Sequence, residues 1–208
     1  MLTPEQFFGF LAAALLVTAS PGPDNLLVLG MGMSKGRGQG IAFGLGCAFG
    51  CLSHTALAVL GISALIAASP WAFTALKVAG GLYLVWLGVQ ALRSQGGAQV
   101  GQATPPAQTL TGLFLRGMLA NAVNPKVVLF FLSFLPQFVV PAQGSVALQL
   151  GLLGLVFTLQ AALLFGLLGF FAGAIGQWLN RRPNAGLWLD RAAGAVFVGL
   201  GLRLITSR

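Results

Sequence analysis

Six apolar runs divide this chain, at approximately 7–33, 41–66, 71–92, 112–139, 146–176 and 187–205. Each is near or above the ~20 residues that an α-helix needs to cross the hydrocarbon core of a bilayer. The breaks between them are short ("SKGRGQG", "ASP", "PAQGS", "NRRPNAG"), apart from one Gly/Gln/Pro-rich linker, "RSQGGAQVGQATPPAQT". Membrane β-strands alternate apolar and polar residues over short segments, and no run here does so. In lipid each backbone N–H and C=O must be satisfied within its own segment. The fold class is therefore an all-α integral membrane bundle of six transmembrane helices.

Charge fits that environment. Only 7% of the 208 residues are charged, against about 25% in an average soluble chain. Eleven Lys and Arg face three Asp and Glu. In a soluble protein this excess would suggest nucleic acid; here the cations lie between apolar runs, where they set topology and meet anionic lipid. The odd-numbered loops and their flanks hold Lys35, Arg37, Arg93, Arg116, Arg181, Arg182 and Arg191, and the other side holds Lys77, Arg203 and Arg208. The positive-inside rule then puts the odd loops in the cytoplasm and both termini outside. "MLTPEQ" has no basic n-region, so the first run is expected to stay as a helix rather than act as a signal peptide. Trp71, Trp86, Trp178 and Trp188 sit near segment ends, as interfacial anchors do.

The first and fourth runs are interrupted, by "SPGPDN" and by "AVNPK". Sliding the first half by about 102 positions lays Pro23 on Pro125, Gly22 on Asn124 and Asp24 on Lys126. Each half then supplies two further helices. A three-helix unit used twice must reverse direction the second time, which is the inverted-repeat plan of many transporters, with broken helices at matching places. The expected organisation is one domain over 1–208, with repeat 1 at about 1–93, a linker at about 94–110 and repeat 2 at about 111–208.

A proline inside a helix removes a backbone bond and clashes with the preceding turn. Asn124 suits an N-cap and Pro125 the first position of a new half-helix, and Gly22 and Pro23 can play the same parts. Such breaks aim free N–H groups and the positive end of a helix dipole inward, where a carboxylate would be held. The alternative is that these prolines only kink the helices for packing. Asp24 and Lys126 are the ionisable groups deepest in the runs, and charges there default to a functional reading. They could pair with each other and lock the halves together, or bind substrate; Asp24, withdrawn from water, is also the candidate proton carrier.

His54 lies in the second helix beside Ser53, and packing, a hydrogen bond to a neighbouring helix, or lining of a polar pathway are its open roles. Gln160 and Asn121 are further polar groups that must face protein or water. Cys47 and Cys51, four apart in one helix, read as small packing residues, because two thiols make neither a CxxC pair nor a complete metal site. Gly36, Gly40 and Gly44, with Gly46 and Gly50, form ladders suited to close helix approach. Whether their partner is the same chain or a second protomer of a homodimer stays open.

At "SPGPDN" and "NPKVVLFFLSFLPQF" the chain resembles the LysE/RhtB family of bacterial amino-acid exporters over its whole length. That resemblance implies export of an amino acid or close derivative from the cytoplasm, driven by the proton-motive force and without a cofactor. Family substrates include lysine, arginine, threonine, homoserine, homoserine lactone and leucine. It carries Pro21, Gly22, Pro23 and Asp24, with Asn124, Pro125 and Lys126, over as binding residues. Asn25 and Asn121 join them by position, and Asn25 beside Asp24 looks more like the neutral-substrate branch. A metal-cation exporter would want more donors on facing helices. A thiol-redox carrier would want a different cysteine placement, and a hydrolase a nucleophile–base pair.

Overall fold

The computed structural model describes residues 2–62, 64, 69–94, 109–182 and 184–206. Most of the expected linker (95–108) and Arg208 lie outside them. The helices are α1 (Pro4–Ala19), α2 (Pro23–Lys35), α3 (Arg37–Leu57), α4 (Pro70–Leu92), α5 (Leu110–Ala122), α6 (Pro125–Leu129), α7 (Val146–Arg181) and α8 (Ala185–Thr206). Among the described residues the chain is all-helical. Helix α3 with its continuation, α4, α7 and α8 are each long and apolar enough to cross a membrane. The remaining two spans are bent pairs, α1 with α2 at 57° and α5 with the Pro125–Phe138 segment at 54°. Six spans result, with the first and fourth broken where the prolines stand.

Boundaries differ from the apolar runs where caps override hydropathy. Thr3 starts α1 with a capping box, its side chain accepting from the Gln6 amide at 3.2 Å while Gln6 Oε1 accepts from the Thr3 amide at 2.7 Å. Ser69, Thr109 and Ser145 cap α4, α5 and α7 in the same side-chain manner. Helix α7 runs five residues beyond the expected 176, because "GQWLNR" continues its helical pattern and Arg181 suits the negative end of the helix dipole. After α6 the chain goes through a π-helical turn, Phe130–Phe134, and a 3-10 turn, Leu135–Phe138. The proline at 136 accounts for the end of that helical path, since it cannot donate into an α ladder.

Gly36 departs from expectation. It has φ +102° and separates α2 from α3 within a single residue, so it serves the turn rather than the packing ladder. A side chain would be strained there. The other ladder glycines pack within the chain. A Cβ at Gly40 would meet Gly32 and Gly169, at Gly44 the Phe165 carbonyl, at Gly46 the Phe114 carbonyl, and at Gly50 the Met118 carbonyl and Asn121. Helix α3 is thus wedged between α2 and α7 on one face and α5 on the other, at distances only glycine allows. The bundle is centred on Phe10, Phe130, Phe131, Phe134 and Phe157, all buried, with ring centroids 4.9–6.5 Å apart in the pairs from Phe10 to Phe157 and Phe130 to Phe131.

These contacts also sort the charges. Met33 of α2 lies against Gly176 of α7, and Leu92 of α4 against Gly194 of α8. Lys35, Arg37, Arg93, Arg181 and Arg182 are thereby gathered toward one end of the bundle. Trp71, Trp86, Trp178 and Trp188 are all exposed.

Candidate functional site at the two broken spans

Helix α1 ends at Ser20, whose amide and hydroxyl both return to the Leu16 carbonyl. The chain passes Pro21 in extended form and restarts at Gly22, the N-cap of α2, with Pro23 at the first helical position. Asn25 bridges this break by donating to the Thr18 carbonyl at 2.8 Å. The second break has the same plan. Helix α5 ends at Ala122, and Asn124 caps α6 through Oδ1, which accepts from the Lys126 amide at 3.1 Å, with Pro125 again first. Both caps are those expected from the sequence.

Each half-helix then presents its charged residue to the opposite half. Asp24 is buried, and its Oδ2 accepts a hydrogen bond from Asn121 Nδ2 at 2.7 Å. Lys126 is buried too, and its Nζ donates to the Ser20 carbonyl at 2.9 Å. Asp24 of the first break is held by the last turn of α5, and Lys126 of the second by the end of α1. Among the described residues no ion pair joins Asp24 to Lys126; the mutual salt bridge left open by the sequence is replaced by this reciprocal crossing. The Lys126 ammonium lies 5.4 Å from the Phe197 ring of α8, a favourable cation–π placement. A Cβ on Gly22 would come within 3.0 Å of Nζ, so glycine is what lets the ammonium rest against the start of α2.

Asp24, Asn25, Asn121 and Lys126 line a small cavity of about 10 Å³ together with Val17, Thr18, Cys51, Val127, Phe157 and Phe165. That is room for about one water molecule. Asp24 Oδ1, Asn124 Nδ2, Gln160 Oε1 and His54 Nδ1 are buried with no hydrogen-bond partner. Buried polar atoms are normally satisfied; among the described residues, the one of these four that belongs to the cavity lining is Asp24 Oδ1, an acceptor left for a polar group.

His54 faces Asn121, with Nε2 3.1 Å from its carbonyl oxygen, which is the hydrogen bond to a neighbouring helix. Gln160 donates to Thr18 Oγ1 at 2.8 Å and so backs a cavity-lining residue. Three contributors were not anticipated. Ser20 acts through its main-chain carbonyl, which no residue-type signal reveals. Thr18 lies one turn before the break on the inward face. Cys51 lines the cavity and lies 3.5 Å from Asn121 Oδ1 as a thiol donor, whereas Cys47 is a buried packing residue as expected. The i+3 spacing from Cys51 to His54 was the available signal for placing it on the polar face.

A six-span helical membrane protein whose two broken helices meet around buried charged side chains has an architecture that membrane transporters use. The profile of the LysE type translocator family matches residues 15–208, and the chain belongs to that family. It is 32% identical over 197 residues to the threonine efflux protein of Escherichia coli K12, covering 93% of this chain and 94% of that one. The homoserine/homoserine lactone efflux protein of Salmonella typhimurium is 29% identical over 207 residues, covering 100% and 99%. An uncharacterised membrane protein of Pseudomonas aeruginosa is 31% identical over 206 residues, covering 97% and 95%. No solved structure matches the chain.

Proposed function

We propose that this protein exports a small neutral amino acid or close derivative, of the threonine, homoserine or homoserine lactone kind, from the cytoplasm in exchange for protons. The carrying observation is the reciprocal hold on Asp24 and Lys126 beside a small cavity onto which Asp24, with its partnerless Oδ1, faces. The names of the threonine and homoserine relatives support the substrate class. Apart from Asp24 and Lys126, the cavity-lining side chains are neutral. Once those two charges engage the substrate's amino and carboxylate groups, none is left for a basic side chain.

In this mechanism the substrate carboxylate, or the ester carbonyl of a lactone, displaces the Ser20 carbonyl from the Lys126 ammonium and sits by the N-terminus of α2, where the dipole favours electron-rich oxygens. The α-ammonium takes Asp24, which can hold either that cation or a proton but not both. This exclusivity couples outward substrate movement to inward proton movement. The cavity has to open for an amino acid to enter, and the two bends are the hinges at which the halves rock. The two halves act as inverted repeats, and the odd loops face the cytoplasm. A metal-cation cargo fits less well: among the described residues no three His, Cys, Asp or Glu side chains gather.

The test is efflux of labelled threonine and homoserine from vesicles reconstituted with the purified protein. Efflux should accelerate when an inward proton gradient is imposed and fall when a protonophore collapses it. Lysine and arginine should not compete. Efflux indifferent to the gradient would remove the antiport, and competition by lysine would remove the neutral-substrate reading.

A further inference from the structure

A second site lies where α7 ends and α8 begins. Trp178, Arg182, Asn184, Ala185, Trp188 and Leu189 line an open notch of about 430 Å³, which shares no residue with the cavity at the breaks. Its size is that of a small-ligand pocket. The guanidinium of Arg182 stands 5.9 Å from the Trp178 ring, and that of Arg191 stands 5.7 Å from the Trp188 ring. Each cation is thus set against an aromatic face, with its N–H groups left to point elsewhere. Arg181 adds a third positive charge at the end of α7. The chain has only three acids. The one here, Asp190, accepts a 2.6 Å hydrogen bond from Ser94 at the end of α4 and is drawn to that side.

Depth in the membrane follows from length. The 36 residues of α7 extend about 54 Å at ~1.5 Å per residue, well past the ~30 Å hydrocarbon core. It therefore overshoots the core, and exposed Trp178 near its C-terminal end marks that end as interfacial. Both tryptophans are substantially exposed there, as rings of the interfacial belt are. A notch with aromatic walls for the glycerol and upper acyl region, with Arg182 in its lining and Arg191 stacked on its Trp188 wall for a phosphate, suits an anionic phospholipid. Arginine provides the fork geometry that phosphate oxygens accept.

We propose that this notch binds the phosphate headgroup of an anionic phospholipid in the leaflet that meets the basic end of the bundle. The site needs nothing from the proposed substrate or its coupling, so either can fail alone.

The test uses the intact protein in phosphatidylcholine bilayers, with tryptophan fluorescence quenched by brominated lipid. Brominated phosphatidylglycerol should quench saturably at a low mole fraction, and brominated phosphatidylcholine at the same fraction should not. Inorganic phosphate should not compete, which separates a membrane-bound headgroup from the free anion. In the double variant Arg182→Gln/Arg191→Gln the apparent affinity for phosphatidylglycerol should fall roughly thirtyfold, on the scale set by two basic contacts with an anionic surface. Equal quenching by the two lipids in the unaltered protein would overturn the proposal without recourse to any variant. Unchanged phosphatidylglycerol affinity in a double variant with normal thermal unfolding would overturn it too, as would displacement by inorganic phosphate.

Discussion

The two broken spans bend through nearly the same angle, 57° and 54°, but they are built differently. The second break caps itself. Asn124 supplies the side-chain acceptor for α6, and the chain beyond soon leaves α geometry for π and 3-10 turns packed into the phenylalanine core. The first break has a glycine cap with no side chain to give, and it opens onto α2, a regular helix of 13 residues. Lys126, a product of the self-capped break, lies over the uncapped one. Under the proposed mechanism this difference becomes a division of labour: the second break would be an anchor that delivers a cation, and the first a seat for the substrate's anion. Asp24, on the second residue of α2, then stands on the opposite side of the cavity for a cation or a proton.

Substitutions that break this asymmetry should rank accordingly. Lys126→Met removes the cation and should lower efflux by roughly a hundredfold, the scale of a buried charge-assisted contact. Rate measurement in vesicles checks this, with thermal unfolding as a control for folding. Gly22→Ala places a carbon 3.0 Å from the ammonium, which must shift to make room, and should raise the substrate KM roughly tenfold with little change in maximal rate. Equal effects of alanine at Gly22 and at Asn124 would erase the proposed distinction. Asn124→Ala should instead cost about 1 kcal/mol of stability through the lost cap, read as a lower unfolding midpoint in detergent, while leaving the KM near its original value. Smallest of all, Cys51→Ala frees the Asn121 amide to reorient and should slow proton-driven efflux about twofold without altering stability, since a thiol is a weak donor.

Much of this was legible in the sequence because membrane constraints are strict. Apolar runs gave the six spans, and the matched prolines located both breaks, down to the capping roles of Gly22 and Asn124. Asp24 and Lys126 stood out because charge deep in an apolar run is costly. What stayed hidden was the pairing. Asp24 and Lys126 fall on each other when the first half of the sequence is slid over the second, which suggested that they meet. Their actual partners are an asparagine side chain and a main-chain carbonyl at the end of the other half's first helix. A carbonyl belongs to every residue and gives no sequence signal, so Ser20 was invisible. Cys51 was hidden differently: two thiols four apart in an apolar helix read as packing, and only the neighbouring α5 shows that Cys51 faces Asn121. Gly36 matched the four-residue ladder by spacing alone, whereas its backbone angle assigns it to the turn.

The central claim is that Asp24 carries either the substrate ammonium or a proton, and so couples the two movements. Asp24→Asn keeps the size and an acceptor oxygen but cannot hold a proton at that position. The most direct measurement is the rate of labelled threonine efflux from vesicles bearing this variant, with and without an inward proton gradient. The account predicts that acceleration by the gradient disappears. Full gradient-driven efflux by the Asp24→Asn protein would contradict it.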